Sequence, residues 1–412
     1  MRSVLWVFLF GACCFAPGEK EPQAVPLKGR IERFPVVTTG KRWASMDEIR
    51  GTLGRYFEQY PQVKADTQRS QFDDAVFPAP FSRGGGLFPV LLLTDSGELV
   101  CILRTGAPHV GSGAELSITF SSDRGRTWTP YTVVARGDID SHLDPRNPSI
   151  GQAANGDLVL VYSLYGDYDE RYKPVPRGGF IRMEVRRSKN GGRNWSKPAK
   201  LESPPGFRLA PYGQMRRLKD GTLVFNARGS PDSAPQRQVS YLYWSRDRGA
   251  SWDKPTLLRD GKTETAFLAL DQLHWVAYVR DNDGPAMIAH SYDGGETWPQ
   301  WDRMLGAARQ VRGRIPGSIT RLPDGLVLIT YGYREYPFGL RAVVSRDGGS
   351  SFDLSREYVL SDSYFHHDSG YPSTVAFADG TIVTVAYANK DLEHPEWGTA
   401  CIAYRYHQKL FE

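Results

Sequence analysis

Ser121-Ser122-Asp123-Arg124-Gly125-Arg126-Thr127-Trp128 is the stretch from which the fold is read. Its residue types describe one fixed turn. Serine and aspartate bond their own backbone, glycine supplies a positive φ, and the aromatic packs beneath. The octet recurs with Asn190 in the acidic place as Ser188-Lys189-Asn190-Gly191-Gly192-Arg193-Asn194-Trp195. Further copies run from Ser245 to Trp252, from Ser291 to Trp298 and from Ser345 to Phe352. A turn repeated at intervals along one chain is the mark of a repeat architecture.

A second repeat interleaves with the first. Apolar runs reach tight turns at Asp95-Ser96-Gly97, Asn155-Gly156, Asp220-Gly221, Asp271-Gln272, Asp324-Gly325 and Asp379-Gly380, and each turn leads into another apolar run. Five of these six hairpins continue into a third strand and the octet turn. Six four-stranded units of this length predict an all-β, six-bladed β-propeller. The last unit has strands near Val375, Thr384 and Ala403 but no room for a fourth. The strand predicted around Phe34 supplies it, and closure from both termini removes exposed edges.

The organisation follows. Residues 1–16 read as a secretory signal: one positive charge at Arg2, a short apolar run from Val4 to Phe10, then small residues. The run is too short to span a membrane. Small residues before Cys13 leave lipid attachment there open, so the protein is expected to be exported, with a lipid anchor at Cys13 or free. Residues 17–80 hold a linker rich in Pro, Lys and Glu, the ring-closing strand, and a helical segment over 46–60 with Ile49, Leu53 and Phe57 on one face. Residues 81–412 form the propeller.

Composition agrees. Aromatics make up 12% of the 412 residues, and 42 glycines and 28 prolines suit short strands with tight turns. The net charge of +5 leans towards anionic ligands, while the absence of a Lys/Arg run argues against a nucleic-acid partner. Cys101 and Cys401 lie inside strand-like runs and read as two buried thiols rather than a disulfide. No spacing of Cys and His suggests zinc, and no cofactor motif is present.

Function in such a ring is sought where strand ends meet the central funnel. These positions carry Arg104, Arg228, Arg280 and Arg334. The inner-strand entries read Arg146-Asn147-Pro148, Pro211-Tyr212-Gly213, Glu264-Thr265, Arg314-Ile315-Pro316 and Gly370-Tyr371-Pro372. Several arginines and a few acids on one funnel describe an anion-binding pocket, since the planar guanidinium fork matches a carboxylate. Tyr371, between Gly370 and Pro372, reads as presented at a strand mouth rather than packed along a strand.

The octets resemble the Asp boxes of the sialidase superfamily, and the resemblance covers roughly residues 80–407. It implies that Asp123, Asp247, Asp293 and Asp347 are structural. It further implies a Tyr371 nucleophile at the last blade's entry, paired with Glu264 as its base, with Arg280 closing the same hairpin sixteen residues on. A neutral phenol suits a sugar whose anomeric carbon bears a carboxylate, because an anionic nucleophile would be repelled. The remaining substrate-binding candidates are Arg104, Asp144, Arg314, Arg334 and Arg341, with Arg341 the better match for the last arm of the carboxylate clamp. His109 and Asp368 are the acid/base candidates. One departure is plain: the family's blade-one Phe-Arg-Ile-Pro motif is Gly86-Leu87-Phe88-Pro89 here, with Arg83 upstream. The resemblance thus implies an exo-sialidase-like glycoside hydrolase acting on a glycan, with no cofactor. A sialidase-fold glycosidase or polysaccharide lyase of different specificity, and a non-catalytic glycan-binding propeller, stay open at this stage.

Overall fold

A computed structural model describes residues 23–27, 29–39, 85–107, 114–137, 143–166, 180–261, 263–281, 286–303, 316–353 and 355–412. Blade one is β3 (Gly85–Leu93), β4 (Leu99–Thr105), β5 (Glu115–Ser121) and β6 (Thr132–Arg136), counting outward from the axis. Blade two is β7 (Asp144–Gln152), β8 (Leu158–Tyr165), β9 (Phe180–Ser188) and β10 (Ala199–Leu201). Blade three is β11 (Phe207–Arg217), β12 (Leu223–Pro231), β13 (Val239–Ser245) and β14 (Thr256–Asp260). Blade four is β15 (Thr265–Ala269), β16 (Trp275–Val279), β17 (Met287–Ser291) and β18 (Gln300–Arg303). Blade five starts with β19 (Gly317–Arg321), β20 (Val327–Tyr333), β21 (Phe338–Ser345) and β22 (Arg356–Tyr364). Blade six is β23 (Gly370–Ala376), β24 (Thr381–Ala388) and β25 (Ala400–His407), completed by β2 (Glu32–Thr38). The six inner strands neighbour one another around the ring.

The strand expected near Phe34 is β2, paired antiparallel to β25 with Glu32 opposite Arg405. One part of the predicted linker needs correction. Gln23–Pro26 form β1, which runs parallel to β22 as a fifth strand on blade five. The chain therefore stitches two blades before it starts the first. The helical segment expected over 46–60 lies outside the described residues. Among the described residues the only helical turns are the 3-10 segments Pro395–Trp397 and Gln408–Phe411.

The apolar core is a ring of seams rather than one centre. Ile102 and Ile118 of blade one pack with Leu158 and Leu160 of blade two, and Val161 with Phe225 joins blades two and three. Trp244 with Trp275, Tyr278 with Tyr331, and Tyr358 with Ile402 continue the ring through blades three to six. Val383, Cys401 and Val37 meet Leu99 and Cys101 to close it. Both cysteines are buried free thiols.

The octet turns lock these seams. Asp123 Oδ1 accepts from Ser121 Oγ at 2.9 Å and from the amides of Arg126 and Thr127, while Oδ2 accepts from Thr127 Oγ1 at 2.6 Å. Asp247, Asp293 and Asp347 repeat the pattern. The box glycine has a second task beyond its positive φ. A Cβ on Gly249 would stand 2.7 Å from Val159 Cγ1 of the preceding blade, and one on Gly125 would stand 3.0 Å from Val383 Cγ1. The turn's bare backbone is thus an inter-blade contact, remote from the funnel.

Candidate active site

Four inner strands are bulged where they enter the funnel. The register slips between Leu87 and Val90, Arg146 and Ser149, Tyr212 and Arg216, and Gly370 and Ser373. At the bulges Phe88, Asn147, Gly213 and Tyr371 adopt φ of 52°, 49°, 68° and 51°. A bulge re-aims one side chain out of the strand's alternation. Positive φ is costly for phenylalanine and tyrosine and persists only where the surroundings impose it. At Tyr371 the surroundings are visible: a Cβ on Gly370 would stand 2.9 Å from Gly332 Cα, so two glycine backbones pass in contact and fix the turn. The Tyr371 ring then packs edge-on to Phe88 at 4.9 Å between centroids, stacks on Tyr387 at 5.9 Å and meets Tyr212 at 6.2 Å.

Glu264 reaches the same point from the opposite wall. It precedes β15, Arg280 follows β16, and the Arg280 amide donates to the Glu264 carbonyl at 3.0 Å, closing the hairpin. The Glu264 carboxylate is buried. The Tyr371 hydroxyl donates to Glu264 Oε1 at 2.9 Å. Arg280 Nη1 donates to Glu264 Oε2 and, at 3.1 Å, to the Tyr371 hydroxyl. Arg228 Nη2 stands 3.5 Å from Glu264 Oε1.

These contacts set the resting protonation. Burial raises the Glu264 pKa, but the Arg280 and Arg228 charges and hydrogen bonds from Arg280 and Tyr371 outweigh it, and the carboxyl falls below its ordinary value. Burial and the Glu264 charge push the Tyr371 phenol up, with Arg280, Arg334 and Arg228 acting against them. The pair rests as a neutral phenol bonded to a carboxylate, the state from which a base can accept the phenol's proton during attack.

The other predicted residues divide. Arg334 flanks Tyr371: its guanidinium carbon lies 5.7 Å from the Tyr371 ring centroid and its Nη2 donates to the Ser369 carbonyl at 3.1 Å. Arg341, expected as the last arm of the carboxylate clamp, is held within blade five. Arg341 is buried, donates to the Ser361 carbonyl at 2.6 Å and lies over the Tyr333 ring at 4.2 Å. Strand β21 turns it into the blade, whereas Arg334 falls one residue past the end of β20, at the mouth. Arg104 and Asp144, expected as substrate contacts, are paired with each other. Both are fully buried, and Arg104 donates through Nε and Nη2 to Asp144 Oδ1 and through Nη1 to the Ala107 carbonyl. They brace the wall between blades one and two, where Arg146 also bonds Asp144. Asp368 Oδ1 accepts from the Tyr387 hydroxyl at 2.7 Å, which places it behind the ring stacked on Tyr371. His109, Arg314 and Arg83 lie outside the described residues. Arg228 is legible in the sequence only as a funnel position. It stands seven residues past its hairpin glycine, Gly221, as Arg104 stands past Gly97.

A closed six-bladed ring whose seams are locked by repeated octet turns defines an Asp-box type of β-propeller. The chain belongs to the BNR repeat-like domain family, whose model matches residues 112–384. A search of curated proteins found no match. Among solved structures, a protein of unknown function from Dyadobacter fermentans is 22% identical, with a TM-score of 0.64 over 80% of this chain and 95% of that one. The Hadza microbial sialidase Hz136 is 16% identical, with a TM-score of 0.61 over 80% of this chain and 67% of that one. A Trypanosoma rangeli sialidase in complex with sialic acid is 16% identical, with a TM-score of 0.57 over 80% of this chain and 55% of that one. At these identities the likeness shows the fold. Among the described residues, no helix is long and apolar enough to cross a membrane.

Proposed function

We propose that this protein is an exo-acting glycoside hydrolase that releases a terminal acidic sugar, of the sialic acid kind, from glycans. The observation that carries the reading is the Tyr371 hydroxyl donating to Glu264 at 2.9 Å with Arg280 touching both. Tyr371 Oη attacks the anomeric carbon and its proton passes to Glu264, while the bond to the leaving oxygen breaks. The negative charge gathering on the phenolic oxygen in that step is met by Arg280. The leaving oxygen takes a proton from a general acid, a role we assign to His109. Water then attacks the anomeric carbon, giving up its proton to that same group, and the bond to Tyr371 breaks as Glu264 returns the phenol's proton. Asp368 is a positioning residue, holding Tyr387 against the Tyr371 ring. The signal-like sequence of residues 1–16 makes export part of the proposal.

The test is hydrolysis of an aryl sialoside by the purified mature chain, beside aryl glucuronide and neutral aryl glycosides. Turnover of an acidic glycoside that is lost in Tyr371→Phe, with the fold retained, supports the reading. Turnover of neutral glycosides alone, or full activity in Tyr371→Phe, overturns it.

A further inference from the structure

We propose that Arg228 is a specificity-determining residue, the third cationic arm of the site, standing on blade three across the funnel from the aromatic rings of Phe88 and Tyr387. The inference rests on the function proposed above and adds how the acidic group of the sugar is held.

Three guanidinium groups surround the Tyr371–Glu264 pair: Arg228, Arg280 and Arg334. They come from the outgoing ends of the second strands of blades three, four and five, which are consecutive. Among the described residues only one carboxylate, Glu264, bonds within the set, and its oxygens are already engaged. Oε1 takes the Tyr371 hydroxyl at 2.9 Å and Oε2 takes Arg280. Arg228 is left at 3.5 Å from Oε1, at the far limit of a hydrogen bond. Among the described residues Glu264 is its only hydrogen-bond or ion-pair partner, and its Nε has none. Its side chain is 25% exposed, against 14% for Arg280. A guanidinium carries five donors in a fixed fork. Most of the Arg228 fork is therefore uncommitted, and part of it is open to the funnel.

The opposite side of the funnel is aromatic. At the blade-one entry Phe88 lies edge-on to Tyr371 and, at 5.5 Å, to Tyr387. Arg104, the blade-one arginine read at the funnel, is spent on Asp144. The mouth is thus polarised, with an arc of guanidinium groups on blades three to five and, apart from Tyr212 of blade three, its aromatic rings on blades six and one. Such a site takes a glycoside whose sugar bears a carboxylate. The carboxylate lies in the arc, where planar forks hold it, and the carbon-bound hydrogens face the rings.

The experiment compares wild type, Arg228→Met and Arg228→Lys. Binding of free N-acetylneuraminate and of glucuronate is measured by titration calorimetry, and KM and kcat are measured on an acidic aryl glycoside that the wild type cleaves. The same kinetics are run on that substrate's uncharged primary amide, and thermal unfolding confirms that each variant folds. Loss of one charge-assisted contact predicts that Arg228→Met weakens sugar-acid binding and raises KM by about 10- to 100-fold, with a smaller change in kcat. Arg228→Lys recovers part of the loss, because it restores the charge without the fork. On the amide the KM difference vanishes. Folded Arg228→Met with wild-type binding and KM, or with an equal KM effect on the amide, overturns the inference alone. A wild type that binds neither sugar acid and cleaves no acidic glycoside overturns both this inference and the function it rests on.

Discussion

Replacing Glu264 with glutamine preserves shape and removes one charge, so its effect separates chemistry from packing. The carboxylate is buried and accepts from Tyr371 at 2.9 Å and from Arg280. A glutamine keeps one acceptor oxygen, so it can accept from Tyr371 or from Arg280 but not from both, and it cannot take the phenol's proton. General-base catalysis is worth about 10²- to 10⁴-fold, so kcat on the acidic aryl glycoside falls by about 10³-fold while KM changes little. Stability falls too, because Arg280 and Arg228 lose the charge that compensates them. Removing one partner of a buried ion pair costs about 3–5 kcal/mol. The one retained acceptor oxygen and the partial exposure of both arginines reduce this to about 2 kcal/mol. The pH dependence gives an internal check. The folded pKa of Glu264 lies below its ordinary 4.5. The charge therefore stabilises wild type above that pH, and the contribution disappears as the pH falls through the folded value. Urea unfolding at pH 7 and at pH 3 should show the gap between wild type and Glu264→Gln narrowing at the lower pH. A variant that keeps kcat within about tenfold of wild type would refute the catalytic argument, and a gap that does not change with pH would refute the electrostatic one.

Three further outcomes follow from the same geometry. Tyr371→Phe should lose turnover as fully as Glu264→Gln while unfolding near the wild-type temperature, since its ring keeps the contacts with Phe88, Tyr212 and Tyr387. Gly249→Val should lower unfolding free energy in urea by about 3 kcal/mol without changing KM, because its side chain meets Val159 at a positive φ. For Asp247, burial acts to raise the pKa, but hydrogen bonds from Ser251, Ser245 and the Ala250 amide outweigh it and hold the carboxyl at about 2. Asp247→Asn should therefore be less stable than wild type at pH 6, and the difference should close as the pH falls from the ordinary 3.8 through about 2.

The blades were legible because their punctuation is local. An Asp-box turn is specified within eight residues, and the Asn-Gly and Asp-Gly hairpins within two. Glu264 and Arg280 were legible for the same reason, since one short hairpin carries both. The misses are non-local. Gln23–Pro26 is too short to show a period, and its partner strand begins at Arg356. Arg341 in the middle of β21 and Arg334 just past β20 both read as clamp candidates, and only the folded chain shows that the first is buried and the second lies at the mouth. The bulges also hide, because a one-residue slip moves a side chain to the other face without changing composition. Their trace was present nonetheless. Phe88-Pro89, Asn147-Pro148 and Tyr371-Pro372 place an X-Pro pair at three inner-strand entries.

The way β2 completes blade six also governs when the molecule can become whole. Glu32 pairs with Arg405, at nearly opposite ends of the chain. Contacts so distant in sequence are paid for in loop entropy before they return anything, and they slow folding. During synthesis the first five blades can assemble in turn, but the seam that joins Val37 to Cys101 and Cys401 has no lid until residues 400–407 emerge. Until then the growing chain carries an apolar flank and an unpaired strand at each end. This is the interval in which it is most open to aggregation and most dependent on chaperones. A chain that stops just short of β25 would lose far more than one strand, because β2 would have no partner and blade six would keep only β23 and β24.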